Sequence, residues 1–265
     1  MNGNSPFPDP ETFVADLKTA LAFLTRVPVD WLGTDGAVRP DFRRAAGLFP
    51  LAGCLVGIVG GIVLVLAHSL GVPPWVCAAL AVVATMMLTG GLHEDGLADV
   101  ADSFGGNASE RRLEIMHDSR IGTYGAAALV LSLFMRIACL AAVIAAAGSI
   151  HAAIGLVLAE GISRAALVRM WHELPAARPN GLAYDTGPPD HTAMVLALAT
   201  AAVLAVLGIP VVGLRAAVLA AVLAAFATYI FTRVTAQAIG GRTGDTLGAC
   251  QQVALVAWLI GAATL

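Results

Sequence analysis

Residues 74–106 read PWVCAALAVVATMMLTGGLHEDGLADVADSFGG, an apolar run that leads directly into an acidic stretch. The apolar part contains no Asp, Glu, Lys or Arg up to residue 92, which is typical of a helix that crosses a membrane. The acidic part then places four carboxylates and one histidine within ten residues. Charged side chains at a membrane boundary are costly and tend to mark functional sites, so this junction predicts both a membrane fold and a site.

Three of the carboxylates share one helical face. Asp95, Asp99 and Asp102 are spaced i, i+4 and i+7, so on a helix they form one stripe. Such a stripe repels itself unless a cation lies between its members, and Mg²⁺ binds oxygen ligands while keeping positions for water and substrate phosphates. The alternative is a solvated acidic face, the usual interpretation of a charge run. We expect these three aspartates to bind magnesium, with Glu94, about 100° around the helix from Asp95, as a weaker ligand.

The composition indicates a polytopic membrane protein. Of 265 residues, 58% are hydrophobic and only 12% are charged, and the mean hydropathy is +0.82. An average soluble domain carries roughly a quarter charged residues. The net charge of −3 gives no reason to expect a nucleic-acid partner. The polar, Pro-rich N-terminus argues against a cleaved signal peptide.

We therefore predict an all-α bundle of about seven transmembrane helices, forming a single membrane domain over residues 1–265. Residues 1–46 form an N-terminal segment, in which a helix over residues 11–27 suits the membrane interface. The transmembrane bundle covers residues 47–265, and each of its apolar segments is close to the roughly 20 residues that a spanning helix needs. These segments are 47–70, 74–92, 122–148, 151–170, 192–212, 214–236 and 247–265.

The distribution of Lys and Arg predicts the orientation. Ten of these residues lie in the N-terminal segment and in the loops 93–121, 171–191 and 237–246, whereas only Arg215 falls clearly in a connection on the other side. By the positive-inside rule, the N-terminus and the three long loops face the cytoplasm. We expect a multi-pass protein of the cell inner membrane, embedded in the lipid bilayer, with an active site on its cytoplasmic side.

Two further polar clusters stand on the same side, each just before an apolar segment. Each combines an aspartate, an arginine and a glycine: Asp118, Arg120 and Gly122 in one, and Arg242, Gly244 and Asp245 in the other. Backbone N–H groups at a helix N-terminus beside a guanidinium form an anion site, so phosphate binding is expected at both. An ordinary helix cap with a snorkelling arginine is the alternative for the first.

Two arginines near the fourth apolar segment complete the set. Arg164 lies inside that segment and Arg178 in the loop after it, and both are candidates for phosphate binding, although Glu160 is placed to pair with Arg164. Carboxylates for a metal and arginines for phosphates on one membrane face are the usual equipment of phosphoryl transfer. The residues thus predict an integral-membrane transferase that acts on a diphosphate substrate.

The sequence leaves more than one candidate for the general base that accepts the proton of the attacking nucleophile. Asp102 and His93 are the leading candidates for a general base, and a histidine at this boundary could equally orient a carboxylate, donate to a phosphate or be merely hydrogen-bonded. Asp118 and Asp245 are expected either to complete a second metal position or to orient the nucleophile.

Several stretches resemble the adenosylcobinamide-GDP ribazoletransferase, or cobalamin synthase, family. The two most specific are LHEDGLADVAD at 92–102 and EIMHDSRIGTYG at 114–125. The others are FLTRVP at 23–28, LFPLAG at 48–53, RPNGL at 178–182 and TGDTLGA at 243–249. The likeness runs in order from about residue 20 to residue 265.

This resemblance implies a magnesium-dependent enzyme of the last stage of cobalamin biosynthesis. A ribose hydroxyl of α-ribazole, or of its 5′-phosphate, would attack the pyrophosphate of adenosylcobinamide-GDP, giving adenosylcobalamin or its 5′-phosphate and releasing GMP. A homo-oligomer and other enzymes of the pathway are further partners that it suggests. One departure concerns the last helix, where relatives tend to carry glutamates and this chain has Gln252 and Leu255. A metal ligand in that helix beyond Asp245 is therefore doubtful.

Other functions are also consistent with clustered aspartates at a membrane face. A CDP-alcohol phosphotransferase or a prenyltransferase is the nearest, but the first would show an arginine where Asp99 follows Gly96-Leu97-Ala98. An ion or solute transporter would place its charges near the bilayer midplane on broken helices, whereas these lie at one edge.

Overall fold

The computed structural model describes residues 10–28, 41–179 and 182–265. Residues 1–9 and 29–40 of the predicted N-terminal segment, and Asn180 and Gly181 of the loop motif, lie outside the described residues. Within the described ranges the chain is helical without strands, which confirms the all-α prediction. The helices are α1 (Pro10–Leu24), α2 (Phe42–Ala45), α3 (Phe49–Ser69), α4 (Pro74–Thr89), α5 (Leu92–Ser103), α6 (Ser109–Ile115), α7 (Thr123–Ala147), α8 (Ser149–Glu173), α9 (Leu182–Asp185), α10 (His191–Val212), α11 (Leu214–Ile239) and α12 (Gly244–Ala262).

Five stretches of the described chain are long and apolar enough to cross a membrane. They are Phe42–Ser69, which contains α2 and α3, and the helices α7, α8, α10 and α11. Helices α4 and α5 pass the same test only as a pair, and they meet at 92°. The described residues therefore give five spans, or six with the bent pair, and the predicted number of about seven is not confirmed.

The predicted second and seventh spans account for the difference. The second, expected over residues 74–92, is the 16-residue helix α4, which is shorter than the roughly 20 residues that a span needs. The seventh coincides with α12, which is helical but carries Asp245, Gln251 and Gln252 in its first half. These polar side chains lower the hydropathy of α12, and most of the helix is buried inside the bundle.

The outer surface of the bundle is apolar, as expected of a protein in lipid. Large apolar side chains are exposed on several of the long helices, among them Leu66, Val130, Leu131, Val206 and Phe226. An exposed apolar surface of this extent is costly in water and marks a membrane or partner surface. The protein is thus a polytopic membrane protein.

Helix α8 lies at the centre of the bundle and packs against α3, α7, α10 and α12. Its closest neighbour is α3, which turns small residues toward it. A Cβ atom added at Gly57 would lie 2.6 Å from the Cα of Val157, so the two backbones are almost in contact. Small residues at helix crossings allow this close packing where no hydrophobic driving force acts between helices.

Helix α1 docks on the bundle through both its apolar and its charged side chains. Ala20 and Leu24 are fully buried, and the carboxylate of Asp16 pairs with Arg44 at 2.6 Å. The predicted helix is therefore present, one residue earlier at its start and three shorter at its end. Its position at the membrane interface stays a prediction. The chain that leaves α1 is held by a hydrogen bond from the Arg26 N–H to the Leu88 carbonyl, 2.8 Å long.

A balanced set of buried charges links four helices. Arg136 of α7 donates to Glu94 of α5 at 2.7 Å and lies 3.7 Å from Glu160 of α8, which also pairs with Arg164. Gln252 of α12 donates to the same Glu94 oxygen at 3.2 Å. Two arginines and two glutamates at the centre of the bundle therefore compensate one another, as buried charges must in a medium of low dielectric constant.

Candidate active site

A sharp corner between α4 and α5 carries the acidic sequence away from the apolar one. Gly90 and Gly91, at the corner, have φ values of 67° and 69°, a left-handed conformation that glycine adopts without steric cost. The axes of the two helices differ by 92°, so α5 departs from the direction of α4. The corner thus turns the carboxylates of α5 away from the direction of the apolar helix α4.

Helix α5 packs directly on the first turns of α12. A Cβ atom at Gly96 would lie 2.6 Å from the backbone oxygen of Asp245, and one at Gly248 would lie 3.2 Å from the Cα of His93. Glycine at both positions lets the two backbones approach. This crossing brings Asp245, which is distant in sequence, beside the acidic face of α5.

A cavity of about 400 Å³ opens at this crossing. Four residues from the predicted site line it, namely His93, Asp95, Gly244 and Asp245. The rest of its wall comes from the end of α1 and the residues after it, from α4, α5, α8 and α12, and from residue 186. These residues are Ala22, Phe23, Thr25, Arg26, Thr89, Leu92, Leu167, Trp171, Thr186, Leu247 and Gly248. The wall is mainly apolar with a few charged groups, which is the usual character of a small-molecule site.

The carboxylates at this crossing repel one another. Burial, followed by the charges of Asp95, Asp245 and Asp102, raises the pKa of Asp99 to about 7. Burial also raises the pKa of Asp245, against the opposing effects of a hydrogen bond from Thr243 and the charge of Arg178. Negative charge is therefore concentrated at this crossing.

The carboxylates are suited to magnesium only in part. Among the residues that the structure describes, no three His, Cys, Asp or Glu side chains form a ready-made metal site. Mg²⁺ commonly binds through one or two carboxylates together with water and substrate phosphates, and so does not require such a cage. One or two of Asp95, Asp99 and Asp245 would suit this pattern, because the charges of Asp95 and Asp245 act on Asp99.

Asp102, the third member of the predicted stripe, has another partner. Its carboxylate accepts the backbone N–H groups of Gly122 at 2.7 Å and Gly125 at 2.8 Å. These donors belong to the N-terminus of α7, where N–H groups lack partners within the helix and the helix dipole favours a negative charge. A Cβ at Gly125 would lie 2.3 Å from the Asp102 oxygen, so glycine is needed for the approach. Asp102 therefore caps α7. Gly122 was predicted to bind phosphate, but its N–H donates to Asp102.

Glu94 and Arg164, also predicted site residues, lie in the buried charge network and not at the cavity wall. Glu94 is 5% exposed and Arg164 is fully buried. The pairing of Arg164 with Glu160 is the alternative that the sequence left open. The Glu94 oxygen Oε1 is occupied by Arg136 and Gln252, so this carboxylate stabilises the position of α5.

His93 is buried against the same network and lines the cavity. Burial and the nearby charges of Arg164 and Arg136 lower the pKa of His93 well below its ordinary value, so the imidazole is neutral. Its Nε2 has no hydrogen-bond partner among the described residues. A buried ring nitrogen without a partner is unusual and is suited to a polar group that arrives with a ligand.

The remaining predicted residues are distributed around the cavity. Asp118 and Arg120 form a surface ion pair at 2.5 Å, and the hydrogen bonds from Arg120 lower the pKa of Asp118 to about 2.

The other two predicted arginines lie in loops near the cavity. Arg242 is buried and donates to the Leu174 carbonyl, joining the loop before α12 to the loop after α8. Arg178 donates to the Leu113 carbonyl and acts electrostatically on Asp245. The charge of Arg178 thus reaches one of the cavity carboxylates.

The structure also identifies cavity residues that the sequence analysis did not single out. Arg26 and Trp171 line the cavity, although Arg26 appeared only as part of the FLTRVP resemblance. Docking of α1 brings Arg26 over Gly90, where a Cβ would lie 2.3 Å from the guanidinium Nε. No periodicity or spacing relates Arg26 to Asp95, so the sequence resemblance was the one signal that could have indicated it.

Comparison with known proteins gives a consistent result over nearly the whole chain. The family model described as cobalamin-5-phosphate synthase matches residues 16–263. A protein of Azorhizobium caulinodans named adenosylcobinamide-GDP ribazoletransferase is 45% identical over 94% of this chain and 95% of its own length. Proteins of the same name from Rhizobium etli and Brucella melitensis are 43% and 41% identical, over 95% and 94% of this chain and 97% and 96% of their own lengths. No solved structure matches the chain.

Proposed function

The chain belongs to the cobalamin-5-phosphate synthase family, and we propose that it joins α-ribazole, or its 5′-phosphate, to adenosylcobinamide-GDP with release of GMP. It is an enzyme of cobalamin synthesis and a transferase, as the names of its relatives state. Membership of this family argues against a CDP-alcohol phosphotransferase, a prenyltransferase or a transporter.

One observation carries the assignment of the reaction to the cavity. Asp95 and Asp245 come from distant parts of the sequence and line the same cavity, at a helix crossing that two glycines make possible. Two carboxylates with Asp99 beside them would hold Mg²⁺ together with the oxygens of a pyrophosphate. When bound, Mg²⁺ would neutralise charge on that pyrophosphate.

The reaction forms one P–O bond and breaks another. A ribose hydroxyl of the acceptor attacks the phosphorus on the corrin side of the pyrophosphate, and the bond from that phosphorus to the GMP oxygen breaks. The hydroxyl proton needs an acceptor, and the neutral Nε2 of His93 at the cavity wall is the candidate atom. Asp102 is a weaker candidate, since its two oxygens already accept the N–H groups of α7.

Arg178 is the first candidate to neutralise the negative charge of the donor pyrophosphate, because its own charge acts on Asp245. Arg120 is 87% exposed and could swing from Asp118 toward a phosphate, with Asp118 as its positioning partner. Gly244, at the start of α12, lies at the cavity and suits an anion. Arg164 and Arg242 are buried with protein partners, and we propose that they hold the helices and loops that carry these groups.

The substrates and the charge pattern also give an orientation. We propose that the cavity faces the cytoplasm in the cell inner membrane, because the Lys and Arg residues concentrate in the segments around it. The apolar outer surface of the long helices would contact lipid, and the N-terminus would lie in the cytoplasm.

The test measures GMP release by the purified full-length protein from adenosylcobinamide-GDP and α-ribazole. We expect release that requires Mg²⁺, stops on chelation and returns when Mg²⁺ is restored. The variants Asp95→Asn and Asp245→Asn should each lose about a hundredfold or more in kcat/KM, since a metal contributes several kcal/mol to charge stabilisation. Glu114→Gln, on the exposed face of α6, is the matched control and should retain full activity.

Two results would reject parts of this proposal. Absence of GMP from the wild-type protein, together with metal flux into liposomes, would indicate a transporter. GMP release that proceeds equally in both aspartate variants would retain the reaction and remove the cavity from it.

A further inference from the structure

We propose that the cavity between α1, α5, α8 and α12 is the subsite for the acceptor nucleotide, and that Arg26 binds the phosphate of that nucleotide. The inference rests on the proposed function and deepens it, because it assigns the acceptor to this cavity, beside the carboxylates proposed to hold the metal-bound pyrophosphate of the donor, and names the residue that distinguishes a nucleotide from a free nucleoside.

The size and walls of the cavity favour the smaller substrate. Its volume is about 400 Å³, near the lower end of the roughly 300–1,000 Å³ of small-molecule sites. One aromatic base with its ribose suits such a space, whereas a corrin macrocycle is too large. The rings of Phe23 and Trp171 contribute to the wall, beside Leu92, Leu167 and Leu247. An aromatic and aliphatic wall is suited to the flat faces of a heterocyclic base.

Two buried polar atoms at this wall have no partner among the described residues. They are the indole Nε1 of Trp171, a side chain that is 2% exposed, and the Nε2 of His93, also in a side chain that is 2% exposed. A buried polar atom without a partner costs stability, and native structures contain few of them. A ribosyl base offers a ring nitrogen that would accept from the indole N–H and a hydroxyl group that would donate to the imidazole Nε2.

Arg26 is the one Lys or Arg among the described residues that line the cavity. Its backbone N–H is fixed by the Leu88 carbonyl at 2.8 Å, and its side chain lies across Gly90. The guanidinium forms no ion pair or hydrogen bond with the described residues, in contrast to the engaged Arg136 and Arg164. A positioned guanidinium without a partner beside a small-molecule cavity is a ready phosphate ligand.

The cavity wall carries charges of both signs. Asp95 and Asp245 would repel a phosphate unless a metal lay between them, so they suit the metal-bound pyrophosphate of the donor. The phosphate of an acceptor would bind at the cationic residue, Arg26. The family name, cobalamin-5-phosphate synthase, describes a product that still carries a phosphate, which is the product that a nucleotide acceptor gives.

The experiment compares two acceptors, α-ribazole and α-ribazole 5′-phosphate, with the full-length protein, Mg²⁺ and saturating adenosylcobinamide-GDP. The test variant is Arg26→Met, which keeps an unbranched side chain over Gly90. We expect its KM for the phosphorylated acceptor to rise about tenfold or more, the effect of losing charge-assisted hydrogen bonds, and its KM for α-ribazole to stay within about twofold. Arg111→Met, on the exposed face of α6, should change neither KM.

A second variant tests the binding of the base. Trp171→Phe removes the indole N–H and keeps an aromatic ring, so it should raise the KM for both acceptors by the same factor, about threefold or more. An increase confined to one acceptor would contradict this assignment.

Two outcomes for the acceptors would overturn the inference: an unchanged KM of Arg26→Met for the phosphorylated acceptor, or an equal rise in KM for both acceptors. In a further series with saturating acceptor and varied adenosylcobinamide-GDP, a rise in KM for the donor alone would also overturn it. The last would assign the cavity to the donor. Turnover of α-ribazole by the variant shows that the protein is folded. Failure of the wild-type protein to release GMP with either acceptor would reject the proposed function itself and is therefore distinguishable.

Discussion

Asp99 and Asp102 show how neighbours decide what a carboxylate does. Both lie on the same face of α5, as their spacing predicts, and both are half-buried. Asp99 faces other carboxylates, which together with burial raise its pKa to about 7. Asp102, less than one turn further along, meets the N–H groups that begin α7. The same side chain is therefore a candidate metal ligand at one position and a helix cap at the next.

This difference gives a prediction about stability. Asp102→Asn should destabilise the protein by about 1–2 kcal/mol, because an amide replaces one of the two oxygens that accept the N–H groups at the N-terminus of α7. Thermal unfolding of the purified protein in detergent, without Mg²⁺, would show a lower Tm. Asp99→Asn is the matched control: a raised carboxyl pKa means that the fold disfavours the ionised form, so its replacement by a neutral amide should not lower Tm above pH 7. A Tm loss in Asp99→Asn alone would reverse the two roles.

At the scale of the element, the crossing of α5 and α12 determines whether a site exists. Gly96→Ala places a Cβ 2.6 Å from the Asp245 backbone oxygen, and backbone cannot move aside as a flexible side chain can. We expect α5 to be displaced from α12, with at least about a tenfold loss of kcat/KM in GMP release, since small displacements of positioning groups reduce rates strongly.

The matched control for that substitution is Gly155→Ala in the second turn of α8. A Cβ there meets nothing within 4 Å, so the variant should keep its activity and gain slightly in Tm through the better helix propensity of alanine. Equal behaviour of the two variants would show that contact at the crossing has no special role.

The elements themselves were largely predictable. Apolar runs of about 20 residues and the i, i+4, i+7 spacing correctly indicated long helices and an acidic helix face. The partners across helices were not predictable, because periodicity describes one helix at a time. Glu94 meets Arg136 and Asp102 meets the start of α7 through packing that no local pattern encodes. Arg26 reaches the cavity for the same reason, through the docking of a separate helix.

At the scale of the whole molecule, the polar residues form two layers. An outer layer surrounds the cavity and contains Asp95 and Asp245, and an inner layer of buried charge lies beneath it. Glu94 and Asp95 are adjacent in sequence and belong to different layers, so α5 connects them. The inner layer also includes α8, the central helix of the bundle. Helix α8 also carries the cavity residues Leu167 and Trp171, and α12 carries both Asp245 and Gln252, so three helices join the buried charges to the candidate active site.

The inner layer predicts strong coupling between Glu94 and Arg136. Their side chains are 7% and 1% exposed, and their charged atoms are 2.7 Å apart. Glu94→Gln or Arg136→Met alone leaves one buried charge without its partner, which should cost about 3–5 kcal/mol and lower Tm and activity together. The double variant removes both charges and should recover much of the lost Tm.

An equivalent cycle on the exposed pair Arg111 and Glu114 should show little coupling, because solvent screens the attraction between these two charges. Additive losses in the buried cycle would mean that the two residues stabilise the bundle independently, and that α5 is held by packing against α12 and not by charge.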